Sequence, residues 1–299
     1  MSIDTRTRPA RTDSENAWDV AKLTCTLGAE IVGCRLGEVS RDDAQFADLH
    51  RLLLRHKVLF FRDQDLSRAE HVALASRFGA LEDHPMVPSD PEHPGLVRIY
   101  KDLDSPPERY ENAYHSDGSW RDEPAMGAVL HCIECPEVGG DTMWVDMVRA
   151  YADLPDAVKQ QIDGLHARHS LESTFGATHP AQVRRGLARD YPDAEHPVVR
   201  THPETGDKIL YVNSFTTHFV DYHTADRVTN GLDFIEGSAP LLHYLQSRAM
   251  VPEYQVRWRW TPGSVAIWDN RCTQHYAVMD YQPGVRRMER AGICGDRPF

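Results

Sequence analysis

No apolar run in this 299-residue chain approaches the length needed to cross a bilayer. The opening stretch, MSIDTRTRPARTDSENAWD, has no apolar centre of the kind a secretory signal requires, so the cytoplasm, with thiols reduced, is the expected location. Cysteine is scarce: six, irregularly spaced, do not make a disulfide framework. Cys132 and Cys135 form a lone C-x-x-C with no second pair, which argues against a structural zinc and for paired thiols on a strand or turn. Positive charge is also in deficit. Thirty-three Lys and Arg face 45 Asp and Glu, a formal net charge of −12 that repels phosphate backbones and anionic lipid. Nucleic acid and membrane surfaces are therefore not expected partners. A small anionic substrate is not excluded, since a few arginines in a pocket override the global field. Self-association to a homo-oligomer is left open. No linker and no internal repeat divides the chain, so a polar, disordered tail over residues 1–14 and one domain over 15–299 are expected.

Hydrophobic residues make up 41 % and charged residues 26 %, the balance of a chain that builds a core. SRDDAQFADLHRLLLRH places Phe46, Leu49, Leu52 and Leu53 at helical spacing behind Ser40 as N-cap. KVLFFRD reads as a buried strand. LSRAEHVALASRFG reads as a helix with a Ser67/Glu70 capping box and a stop at Gly79. Residues 84–113 and 171–197 show no clear period and read as irregular lid segments over a pocket. AMGAVLHCI and TMWVDM read as strands, about 146–168 as a helix, VVRTHPETGDKILYVN as a hairpin, and 236–249 as a helix. The terminal YQVRWRWTPGSVAIWDNRCTQHYAV alternates about a TPGS turn. Many short strands with grouped helices predict an α+β, mainly β fold, a jelly-roll core with helices packed against it.

Within ENAYHSDGSW, His115 and Asp117 stand two apart. In extended backbone, residues i and i+2 face the same way, so this pair can aim an imidazole and a carboxylate at one ion. A third ligand must come from a distant strand, and His275 in WDNRCTQHYAV is the best candidate. Two histidines and one carboxylate leave open positions on a metal, the arrangement of non-haem Fe(II) oxygenases. His202 and Glu204 form a second H-x-acid pair, but at a hairpin turn, and are read as turn residues. After His275, VMDYQPGVRRMERAG puts Arg286 and Arg290 four apart, on one face of a strand, with Arg287 facing away. A forked, permanently charged guanidinium suits two-point capture of a carboxylate.

The fragments FFRDQ, RFGALEDHP, HSD, GGDTMW, HPETG, YVNSFTT, WDNR…QHYAV and the final R-x-x-x-R occur in an order and spacing that resembles the TauD/TfdA (taurine dioxygenase) family. That resemblance implies a double-stranded β-helix and a dioxygenase that uses Fe(II), 2-oxoglutarate and O2, releasing succinate and CO2. By position it implies His115, Asp117 and His275 as iron ligands. Thr142 and Arg286 would hold the far carboxylate of 2-oxoglutarate. Arg290 would face the substrate's anionic group near the co-substrate, with His84 on the same anion and Phe175 lining the pocket. Related halogenases lack the carboxylate that Asp117 supplies, so hydroxylation, desaturation or epoxidation is expected.

Four positions depart from the taurine pattern. Val87 stands for a tyrosine, Gly118 for a valine and Tyr114 for a tryptophan, while Trp120 follows the ligands closely. With bulk lost at Val87 and Gly118, a roomy apolar pocket is expected. That favours a bulky carboxylate of specialised or antibiotic metabolism over a sulfonate or alkyl sulfate of sulfur scavenging. The rivals of other classes are a cupin-like jelly roll with a non-oxidative metal reaction and a non-catalytic binding jelly roll.

Overall fold

Val58–Leu59–Phe60–Phe61 is apolar without alternation because two cores meet on it, one on each face. The computed structural model describes residues 18–84, 87–104, 112–174, 176–222, 237–281 and 284–299. With strands numbered in chain order, its largest sheet runs β1 (Asp19–Lys22), β2 (Ala29–Val32), β3 (Val58–Phe61), β13 (Val265–Asp269), β5 (Gly127–Glu134), β15 (Arg286–Ile293) and β4 (Leu96–Lys101). Only β2 and β3 pair in parallel. Leu59 and Phe61 face α2 (Asp43–His56) and α3 (Arg68–Ser76), joining Leu49, Leu52, Leu53 and Leu74 in one core. Val58 and Phe60 face the other way, into a core with Trp144, Trp258, Trp260 and Trp268.

A second sheet forms the other wall of that tryptophan core. It runs β12 (Gln255–Trp258), β6 (Thr142–Asp146), β14 (Thr273–Ala277), all antiparallel. Its register sets His275 opposite Trp144, and Trp258 opposite Thr142. Thr142, Trp144 and His275 therefore share the inner face. On β15 the same alternation turns Met288 and Arg290 inward, while Glu289 meets Arg68 of α3 on the helical side. Two facing sheets, with α2 and α3 on one outer surface and α4 (Met147–Ala152) and α7 (Ala239–Ser247) packed with Val145 on the other, make the mainly β jelly roll expected.

A third cluster surrounds the sheet of β7 (His166–His169), β8 (Ala194–Pro197) and β11 (Thr216–Phe219), in the order β11-β7-β8. The expected hairpin is β9 (Val199–Thr201) against β10 (Lys208–Leu210). The remaining helices are α1 (Leu36–Val39), α5 (Asp156–Ile162) and α6 (Ala181–Asp190). All six cysteines are free thiols. Among the described residues no helix is long and apolar enough to cross a membrane.

Several local readings need correction. Asp42, not Ser40, caps α2, because its carboxylate accepts from the backbone N–H of Ala44 and Gln45. Ser40 instead closes α1. The capping box of Ser67 and Glu70 is present, but α3 ends at Ser76, ahead of Gly79. The helix over 146–168 is two helices and a strand, since Pro155 cannot donate to a continuing ladder and restarts the chain as α5. The irregular segment 84–113 contains the edge strand β4, and 171–197 contains α6 and β8. The expected tail over 1–14 and Phe175 lie outside the described residues, as does part of 84–113.

His202 does stand at the β9–β10 turn, but it is buried there. Its Nδ1 accepts from the N–H of Glu204 and Thr205, and its Nε2 donates to Asp269 across 3.0 Å. Asp269 is also gripped by Arg271, and the two partners hold its carboxyl below the ordinary range against the opposing effect of burial. A hydrogen bond to a buried charge contributes roughly 1.5–3 kcal/mol. His202→Ala should therefore lower the free energy of unfolding by about that amount in urea titrations while iron binding persists. Wild-type stability in that variant would show the Asp269 contact to be idle.

Candidate metal centre

β14 is extended sideways by one residue of the HSD turn. The N–H of His115 donates to the carbonyl of His275 at 3.0 Å, and the N–H of His275 donates back at 2.8 Å. This two-way pair sets both side chains on one face, with ring centroids 4.2 Å apart. Asp117 reaches the same point from the turn. Its Oδ1 lies 3.6 Å from His115 Nε2 and 3.7 Å from His275 Nε2. One ligand atom from each of the three lies within 4.8 Å of the others, so a single ion can touch all three.

The donor chemistry fits a divalent transition metal. His115 Nδ1 donates to the carbonyl of Ala113 at 2.7 Å, which leaves the lone pair of Nε2 facing the centre. Burial, then the neighbouring His115, pushes His275 down to about 3, so its imidazole is neutral. Burial opposes ionisation of Asp117, but Arg290 and the two histidines hold it well below the usual carboxylate range. Asn270 fixes the turn: its Oδ1 accepts from Asp117 N–H at 2.8 Å, and its Nδ2 donates to the carbonyls of Asp117 and Ala125. The cluster of His202, Asp269 and Cys272 is also compact, but Arg271 already neutralises its carboxylate, and it is structural.

Arg290 braces the centre from β15. Its Nη2 donates to Asp117 Oδ2 at 2.9 Å and its Nη1 to Glu82 Oε1 at 2.7 Å. Oδ1 of Asp117 is thereby the oxygen left to the ion. Glu82 reaches this position because residue 292 is glycine: a Cβ there would stand 2.2 Å from Glu82 Oε1. Arg290 Nε is buried without a partner. Sequence reasoning missed Glu82, since its contact depends on a close approach across the sheet that no local pattern announces.

Away from the ligands, Thr142 and Arg286 come together. Thr142 Oγ1 lies 3.4 Å from Arg286 Nη2 and accepts from the indole Nε1 of Trp260 at 3.0 Å. Arg286 Nε donates to the carbonyl of Gly140. With acceptor positions on its oxygen engaged, the Thr142 hydroxyl proton is left to donate to a bound carboxylate. Trp260 was legible only as one of a run of alternating tryptophans.

His84 is half-buried beside the centre. Its Nδ1 accepts from Val87 N–H at 3.0 Å, so the ring proton resides on Nε2. Burial, with Arg290 and Arg121 nearby, pushes it down to about 4 against the pull of Asp117. Val87 is half-buried at that turn. Gly118 has φ +65°, and a Cβ there would lie 3.5 Å from Ala125 N and 3.6 Å from Arg121 Cδ. The backbone thus supplies a reason for glycine independent of pocket size, which weakens the roomy-pocket expectation. Tyr114 faces Tyr276 and accepts from Gln255, so its departure concerns packing.

A jelly roll that gathers two histidines and a carboxylate at one end of its inner sheet faces defines the class of non-haem iron oxygenases. Residues 19–291 match the family described as "Taurine catabolism dioxygenase TauD, TfdA family". An alkylsulfatase of Acinetobacter baylyi is 38% identical over 92% of this chain and 84% of its own length. An alpha-ketoglutarate-dependent sulfate ester dioxygenase of Pseudomonas putida is 33% identical over 94% and 90%. An (S)-phenoxypropionate/alpha-ketoglutarate-dioxygenase of Sphingobium herbicidovorans is 33% identical over 94% and 96%. The crystal structure of a taurine dioxygenase from Burkholderia xenovorans superposes with TM-score 0.74 at 32% identity, covering 93% of this chain and 91% of that one. The chain belongs to the TauD/TfdA family. It is an oxidoreductase, a dioxygenase whose cofactors are Fe(II), 2-oxoglutarate and O2.

Two outcomes are expected from this geometry. Removing His115, Asp117 or His275 singly to alanine should abolish turnover and weaken Fe(II) binding in equilibrium dialysis, with near-native circular dichroism. Retained iron affinity in His275→Ala would remove it from the ligand set. Arg286→Gln, losing charge-assisted bonds of roughly 1.5–3 kcal/mol, should weaken 2-oxoglutarate binding about tenfold to a hundredfold. Trp260→Phe and Thr142→Ala should each weaken it less. Unaltered co-substrate affinity in Arg286→Gln would sink that assignment.

Proposed function

We propose that the protein oxidises alkyl sulfate esters, hydroxylating the carbon that bears the sulfate oxygen. The observation that carries this reading is the likeness, over nearly the whole chain, to an alkylsulfatase and a sulfate ester dioxygenase. It displaces the bulky carboxylate anticipated from Val87 and Gly118, one leg of which is a backbone requirement at Gly118.

The balance is simple. An ester R–CH2–OSO3⁻ with O2 and 2-oxoglutarate gives R–CHO, hydrogen sulfate, succinate and CO2. One oxygen atom of O2 enters succinate, and the other enters the C–H bond; the resulting hydroxysulfate breaks its C–O bond to sulfate. Iron, when bound by His115, Asp117 and His275, supplies the activation of O2 and the oxidation of the C–H bond. The chain's own part is placement. Arg286 and Thr142 orient the far carboxylate of 2-oxoglutarate. His84, with its proton on Nε2, and the buried Nε of Arg290 offer donors to the sulfate head. Half-buried Val87 and, by position, Phe175 and Gly118 would flank the alkyl chain. With the head fixed, the carbon next to the ester oxygen is the one presented for oxidation.

A second reading, oxidation of an aryloxy carboxylate, draws on the phenoxypropionate relative. Succinate, sulfate and aldehyde measured across alkyl sulfates, taurine and phenoxypropionate separate the two. Alkyl sulfates should give kcat/KM at least tenfold above the others, with one sulfate released per succinate. A preference for phenoxypropionate would select the second reading, and succinate without sulfate would eliminate the first.

A further inference from the structure

Arg121 belongs to no part of the machinery described so far, yet it lies against it. Its backbone N–H closes the ligand turn on the carbonyl of Gly118 at 2.8 Å. Its side chain folds back along the turn: Cδ and Nε come within 3.6 and 3.9 Å of where a Cβ on Gly118 would be. Nη2 donates to the carbonyl of Asp83 at 2.8 Å, the residue before His84. The guanidinium lies 4.8 Å from the ring centroid of the buried Trp120. Nε is buried with no partner, and among the described residues Arg121 enters no ion pair. It is thus a cation held in place by a backbone carbonyl and an aromatic face, with an unused donor beside the pocket residues His84 and Gly118.

Asp117 and Glu82 share the single guanidinium of Arg290. Among the described residues, Arg121 is a cation beside the His84 segment and the ligand turn that enters no ion pair. The anionic head of a substrate would find its charge there.

We propose that Arg121 is a specificity-determining residue that binds the anionic head of the substrate together with His84 and Arg290. The ligand class is a monoanionic sulfate ester, whose terminal oxygens can accept from the buried, partnerless Arg290 Nε and Arg121 Nε. This rests on the sulfate-ester reading for the ligand class, though not for the role of Arg121.

The test compares wild type, Arg121→Gln and Arg121→Lys with hexyl sulfate, reading succinate at several salt concentrations. Arg121→Gln should raise KM at least tenfold with kcat changed less than threefold. Arg121→Lys, which keeps the charge, should recover much of that loss. The wild-type KM should rise with salt, and that dependence should weaken in Arg121→Gln. An unchanged KM in the glutamine variant, or a rise that lysine does not relieve, overturns the proposal. If the glutamine variant does not fold, a salt-independent wild-type KM overturns it. Should wild type prefer phenoxypropionate to hexyl sulfate, the substrate reading fails. The KM for phenoxypropionate across the same three proteins then decides the role of Arg121.

Discussion

A guanidinium held between a buried and a half-buried carboxylate is the interaction on which the centre depends. Arg290 joins Asp117, on a turn, to Glu82, on the segment leading to His84, and does so from the middle of a rigid strand. Removing three charged groups from water is costly, and the assembly is sustained only because each charge has a close partner. In return it fixes which oxygen of Asp117 faces the metal. It also ties the segment that carries Glu82 and His84 to the same frame as the ligand turn.

Much of the architecture was legible where local chemistry and burial agree. Val58–Phe61 announced itself as a strand covered on both faces, and Ser67 with Glu70 announced a helix start. The arginines four apart were readable because period-two alternation fixes which side chains share a face, whereas the H-x-D pair, expected on extended backbone, converges through a turn after His115. The fold class followed from the number of short strands.

What escaped the sequence was decided by tertiary contact. β4 was hidden in a polar segment because it is an edge strand, with one face of its side chains in solvent. Asp42 prevailed over Ser40 because α1 had already taken Ser40 as its own end. Glu82 and Trp260 act through partners more than a hundred residues away, across sheets, and no spacing rule connects them. Gly118 looked like lost bulk, whereas its backbone conformation explains the glycine.

β15 has a further consequence. It is pinned on both sides, by β4 and β5, so its length cannot adjust. Four residues of strand place Arg286 about 13 Å from Arg290 along the backbone. One of these arginines stands beside the candidate metal ligands and the other beside Thr142, so a single β-strand fixes the separation of the two polar stations.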